Sequence, residues 1–161
     1  MCDYSLHVFP NRLAVDGEQL VVYRFGGASI GLASRADVEE MNRRRREEAS
    51  GRFSWARIKR WFEAQRQVDR QICAVCVPPG ARLLLADIPR HLQRALEISE
   101  SEEVQFVEIT LESHTYRDAV RFPNGRQVLL QALREGQRVR VLSLDSARPV
   151  EPLVWEPALA R

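Results

Sequence analysis

Asp118-Ala-Val-Arg-Phe-Pro-Asn-Gly-Arg-Gln-Val-Leu-Leu-Gln-Ala-Leu-Arg-Glu-Gly-Gln-Arg-Val-Arg-Val-Leu-Ser-Leu144 is the stretch whose reading decides the fold. Asn124-Gly125 tolerates the positive φ angles of a tight hairpin turn and lies between apolar runs. Glu135-Gly136 interrupts the next run in the same way. Val139 and Val141 alternate with Arg138 and Arg140, the pattern of a half-buried strand. The stretch therefore predicts a three-strand antiparallel meander, which needs further strands to bury its apolar face.

Outward from it, the chain bounds its own options. Its 161 residues, 45% hydrophobic and 29% charged, suit one compact domain with a core. A net charge of +2 does not by itself imply a polyanion partner. The cations are almost all arginine, with Lys59 the only lysine. Met1 to Val15 lacks the basic start and apolar run of a signal peptide, and no segment approaches the ~20 apolar residues of a membrane span. Three cysteines is an odd number. The expectation is a cytoplasmic protein with thiols free or metal-bound and no membrane partner.

Cys2-Asp-Tyr-Ser-Leu-His-Val-Phe9 alternates as a strand that Pro10-Asn11 ends, and Gln19 to Phe25 reads as a second, followed by a short run to Ala33. At Ser34 the composition changes. Ser34-Arg-Ala-Asp37 resembles a capping box opening a charged helix over 38–49, and Ser54 caps a second helix running to about Gln71. Ile72 to Val77 is apolar on both faces, as a covered strand would be, and Pro78-Pro79-Gly80 ends it. Strands are expected over 82–86 and 104–111, with a short helix after Pro89 between them. After Asp145 the prolines at 149, 152 and 157 predict an extended tail. The fold class is therefore α+β. Residues 1–145 form a mostly antiparallel β-barrel or sandwich with a two-helix insertion at about 35–71, and 146–161 form the Pro-containing tail.

At Cys2–His7, Ala74–Gly80 and Asp118–Gly125 the chain resembles a family of small uncharacterised bacterial proteins. Its members open Met-Cys-Asp-Tyr-Ser-Leu-His and carry a comparable Ala-Val-Cys…Pro-Gly strand and Asp-Ala…Phe-Pro-Asp/Gly hairpin. The resemblance covers the strand-rich parts and skips the helices at 35–71. It implies no activity.

Cys2 offers the most specific chemistry. Removal of Met1 would leave a free amine beside a thiol, a pair that can act as base and nucleophile or as an N,S metal chelate. The competing role is a small apolar residue on the Tyr4, Leu6 and Val8 face. Cys73-x-x-Cys76 has redox and zinc spacing, but positions three apart on a strand diverge, so both are expected in the core. Cys2, His7, Cys76 and His114 could together hold a transition metal ion, provided the N-terminus bends. Arg43, Arg44, Arg45, Arg46, Arg57, Arg60 and Trp61 form the one basic and aromatic cluster, a combination that suits nucleic acid. Glu39, Glu40, Glu47 and Glu48 instead pair with those arginines at helical spacing, which favours a solvated helix.

Three functional expectations follow in order. The first is a non-catalytic binding or accessory module, acting on a protein partner or as a homo-oligomer through exposed strand edges or the helical insertion. The second is a small metal- or thiol-dependent enzyme or metal-binding protein centred on Cys2. The third is nucleic-acid binding through the Arg/Trp helices.

Overall fold

The computed structural model describes residues 9–26, 29–49, 72–109 and 117–145. Among these residues nine strands join in one sheet: β1 (Asn11–Leu13), β2 (Gln19–Arg24), β3 (Ile30–Ser34), β4 (Ala74–Cys76), β5 (Arg82–Leu85), β6 (Glu102–Glu108), β7 (Asp118–Arg121), β8 (Gln127–Leu129) and β9 (Arg138–Ser143). Helix α1 (Arg35–Ala49) follows β3, and α2 (Arg90–Leu96) lies between β5 and β6. The spatial order is β1-β4-β3-β2-β9-β5-β6-β7-β8. Every ladder is antiparallel except β1–β4. The fold is thus α+β with a mixed sheet. That sheet is open, with β1 and β8 as its edges and no ladder joining them among the described residues.

The hairpin at Asn124-Gly125 forms as read, with Gly125 at φ 83° and β7 and β8 paired from Ala119–Leu129 to Arg121–Gln127. The meander does not continue. β9 leaves β8 and inserts between β2 and β5, opposite Leu20 on one side and Leu83 to Leu85 on the other. The physical reason is a single 3-10 turn at Leu130–Ala132, which buries Leu130 and Leu133 and carries the chain across the core toward β3. Glu135-Gly136 then makes the second turn, with Gly136 at φ 80° and its N–H donating to the Val22 carbonyl at 2.8 Å.

Alternation distributes the side chains between two faces. Leu20, Val22, Leu32, Val75, Val77, Leu83, Leu85, Val104, Phe106, Val120, Val139 and Val141 share one large core, joined by Leu130 and Leu133. Burying each such side chain contributes about 1.5–3 kcal/mol before entropy is counted. On the opposite face, Tyr23, Phe25, Ala33, Ala74 and Cys76 pack with Phe9 and Ile72, and Met41 of α1 covers them. Tyr23 meets Phe25 edge-on at 4.9 Å between ring centres, and Phe9 lies 5.2 Å from Phe25. β4 is therefore covered on both faces, as its unbroken apolar run requires.

Two further expectations change. Pro10-Asn11 does not end the strand structure: the Pro10 carbonyl accepts from the Ala74 N–H at 2.8 Å, and Asn11–Leu13 pairs in parallel with β4. A proline tolerates this place because its missing N–H is not required by the ladder. The expected strand over 2–8, the second helix and the 146–161 tail lie outside the described residues.

α1 leaves from the end of β3, and β4 is the antiparallel neighbour of β3, with Ala33 opposite Ala74. A chain passing directly from Ser34 to Ile72 would therefore be an ordinary hairpin, and among the described residues the larger core contains none from 35–49. Replacing 35–71 by a short Gly-Ser loop is expected to leave a single cooperative unfolding transition at a lowered midpoint. Loss of cooperativity in a urea titration would show that the helices belong to the folding unit.

Candidate functional site

The sequence-predicted metal residues fall on different ground. Cys2, His7 and His114 lie outside the described residues. Cys76 sits on β4, 7% exposed among Tyr23, Ala33 and Ala74, and it is disulfide-bonded. That corrects the expectation of thiols that are all free or metal-bound, because a sulfur held in a disulfide has no thiolate to offer an ion. Cys73 is free and half-buried, so the partner of Cys76 lies outside the described residues. Burial pushes the Cys73 thiol above its ordinary value, which leaves it a poor nucleophile. Cys73 lies just before β4 and is half-buried, so only Cys76 joins the packed cluster and the expectation that both lie in the core fails for Cys73. Among the described residues no group of three or more His, Cys, Asp or Glu converges as a metal site.

The basic cluster divides similarly. Arg57, Arg60 and Trp61 are outside the described residues, while Arg43, Arg44, Arg45 and Arg46 lie on α1. Arg43 and Arg44 both pair with Glu40, the latter at 2.7 Å, and Arg35 pairs with Glu39 at 2.6 Å. The hydrogen bond from Arg44 is the main reason the Glu40 carboxyl is held below its ordinary range. α1 thus carries the pairs that the i,i+3 and i,i+4 spacing allows. Met41 and Val38 are its anchors to the sheet.

Sequence reading missed a pair of facing carboxylates. Glu108 of β6 stands opposite Asp118 of β7, at the end of the ladder that also pairs Phe106 with Val120. Phe106 and Val120 belong to the large core, and strand alternation puts Glu108 and Asp118 on that same side. Asp118 is 4% exposed, and Glu108 Oε1 is buried with no hydrogen-bond partner among the described residues. The signal was present in the alternation Val104, Phe106, Glu108. A separate shallow groove toward the other end of the β6–β7 ladder is lined by Arg82, Glu103, Gln105, Arg121 and Pro123, and Arg82 and Glu103 pair there at 2.6 Å.

The β1 edge is the remaining feature. Leu13 is 69% exposed and Val15 58%, whereas Ala14 between them is buried. The Arg12 guanidinium donates through Nη1 to Glu18 Oε2 at 3.1 Å and through Nη2 to Oε1. Hydrogen bonding from Arg12 holds the Glu18 carboxyl below its ordinary range against the opposing effect of burial, and the same bond raises the Arg12 value. Among the described residues no helix is long and apolar enough to cross a membrane. Neither family models, nor curated proteins, nor solved structures give a match to this chain.

Two outcomes follow from this geometry. Alkylation with iodoacetamide in denaturant, followed by peptide mapping, should label Cys73 without reductant and Cys76 only after reduction. Labelling of Cys76 in the unreduced protein would remove the disulfide from the account. Glu108→Gln should raise the urea midpoint, because Glu108 Oε1 is buried without a hydrogen-bond partner among the described residues and a neutral side chain costs less to bury there. A lowered midpoint would mean that the Glu108 charge is compensated and stabilising.

Proposed function

We propose that this chain is a non-catalytic binding or accessory module that takes a protein partner along the open β1 edge of its sheet. The observation that carries the reading is the edge itself, a terminal strand whose apolar Leu13 and Val15 face solvent on either side of a buried Ala14. A segment docked there would cover Leu13 and Val15, whose alternate side chains supply specificity. It would gain main-chain hydrogen bonds by displacing Arg12 from the Leu13 carbonyl and Glu18 from the Val15 N–H. The strand-rich body, read as a sandwich folded over its larger core, is the rigid platform, and kinship with the Met-Cys-Asp-Tyr-Ser-Leu-His proteins belongs to the same proposal. A cytoplasmic setting is part of it too. The pairing of Arg43 and Arg44 with Glu40 supports a solvated α1 rather than a nucleic-acid face.

Metal or thiol chemistry at Cys2 is the rival, and it requires that Cys2 not be the cysteine bonded to Cys76. A photo-crosslinking residue at Leu13 is expected to trap a protein partner in cells, while the same residue at exposed Arg134 does not. Elemental analysis of the purified protein separates the rivals directly. Stoichiometric metal that disappears on Cys2→Ala would replace the module by a metal protein.

A further inference from the structure

We infer that the Arg12–Glu18 pair guards the β1 edge, closing its backbone to an added strand and holding two copies of this chain apart. The Pro10 carbonyl accepts from the Ala74 N–H at 2.8 Å, and the Ala14 N–H donates to the Cys76 carbonyl at 2.9 Å. In a parallel ladder, alternate residues face the neighbouring strand. Pro10, Arg12 and Ala14 therefore address β4, and the backbone groups of Asn11 and Leu13 point away from the sheet.

Side chains of the same segment occupy much of this outward row. The Leu13 carbonyl accepts from Arg12 Nη1 at 3.1 Å, and the Val15 N–H donates to Glu18 Oε2, also at 3.1 Å. One step back, Asn11 Nδ2 donates to the Phe9 carbonyl at 3.2 Å. An incoming strand would need several of these groups. The two main caps are welded to each other, since the guanidinium that covers Leu13 also grips the carboxylate that covers Val15. Glu18 is held by its surroundings, with its side chain 10% exposed against 39% for Arg12. The Val15–Glu18 turn adds a Glu18 N–H to Val15 carbonyl bond at 3.2 Å and includes Gly17 at φ 78°.

An edge strand with exposed apolar side chains is a template for further pairing, and proteins blunt such edges with charges. The strand available in a purified sample is β1 of a second copy. Paired antiparallel about a two-fold axis, Asn11 would meet Leu13 and Arg12 would meet Arg12. Arg12 therefore opposes that pairing twice, by capping a carbonyl and by like-charge repulsion. The inference rests on the edge reading above and adds that a partner must displace the Arg12 and Glu18 caps to enter. Its test uses this chain alone, so a missing partner would leave it untouched.

The experiment is light scattering over a dilution series. Arg12→Ala/Glu18→Ala removes both caps and leaves the net charge at +2, because one cation and one anion are lost together. The wild type should stay monomeric, and the double variant should reach at least twice the monomer mass. Adding Leu13→Lys, an edge lysine on the freed strand, should restore the monomer. Should the double variant not fold, Arg12→Gln is the milder probe and should associate at a higher concentration than the wild type reaches. A folded double variant that remains monomeric overturns the inference, as do association that Leu13→Lys does not reverse and a wild type that already dimerises through Leu13.

Discussion

Everything in this structure answers to the need to cover one end of the sheet on both faces. β2, β3 and β4 carry apolar residues on consecutive positions, so one layer of packing cannot satisfy them. Their inner side chains enter the large core with those of β5 to β9. The outer side chains, Tyr23, Phe25, Ala33, Ala74 and Cys76, need a second cover. Among the described residues α1 supplies it with Met41 and Val38, a narrow apolar stripe on a helix otherwise given to arginine and glutamate. Phe9 and Ile72 close the flanks, and the tilted contact of Phe9 with Phe25 extends the cover where the helix does not reach. Toward β9 the requirement lapses, and Arg138 and Arg140 face solvent.

The ion pairs matter here for geometry more than for energy. Most are exposed, and such pairs stabilise by about 0–1 kcal/mol. Their placement is nonetheless systematic around α2. Asp87 and Glu97 are the described non-glycine residues with positive φ, at 58° and 55°, and they flank that helix. Each carboxylate is taken by an arginine, Asp87 by Arg138 of β9 and Glu97 by Arg126 of the β7–β8 hairpin at 2.8 Å. Arg126 also donates to the Ala95 carbonyl, and Asn124 Nδ2 donates to the Leu96 carbonyl at 2.8 Å. Left-handed backbone at a side-chain-bearing residue is held by its surroundings. Here those surroundings are the arginines that also fasten α2 to the sheet.

Much of this was legible in the sequence, and the losses have physical causes. The strands observed at Gln19–Arg24, Arg82–Leu85 and Glu102–Glu108 and the Asn124-Gly125 hairpin followed, within a few residues, from alternation and turn chemistry, which are local. The partner of β9 was not local. Nothing in Arg138–Ser143 says that it pairs with Leu20 and Leu83 rather than with Leu129, because the deciding event is the turn at Leu130–Ala132. β1 was obscured by Pro10, which reads as a terminator unless the parallel neighbour is known. At the candidate sites, the burial of Cys76 followed from the apolar run. The half-exposure of Cys73 did not, because β4 begins only at Ala74, nor did the disulfide at Cys76, since spacing does not report oxidation. Glu108 was readable in the alternation and was lost among the charges of Glu102 and Glu103.

The position of β9 also sets an order of events during synthesis. It follows every other described strand in sequence, yet it occupies the centre of the sheet, with Gln19 opposite Arg140 and Leu84 opposite the same residue on the other side. Until it is made, β2 and β5 carry two inward-facing edges with no strand between them. Pairings this distant in sequence slow folding, because the chain must close a large loop before any contact rewards it. A growing chain would therefore hold apolar β2, β3 and β5 open to solvent through most of its translation, the condition in which nascent proteins lean on chaperones.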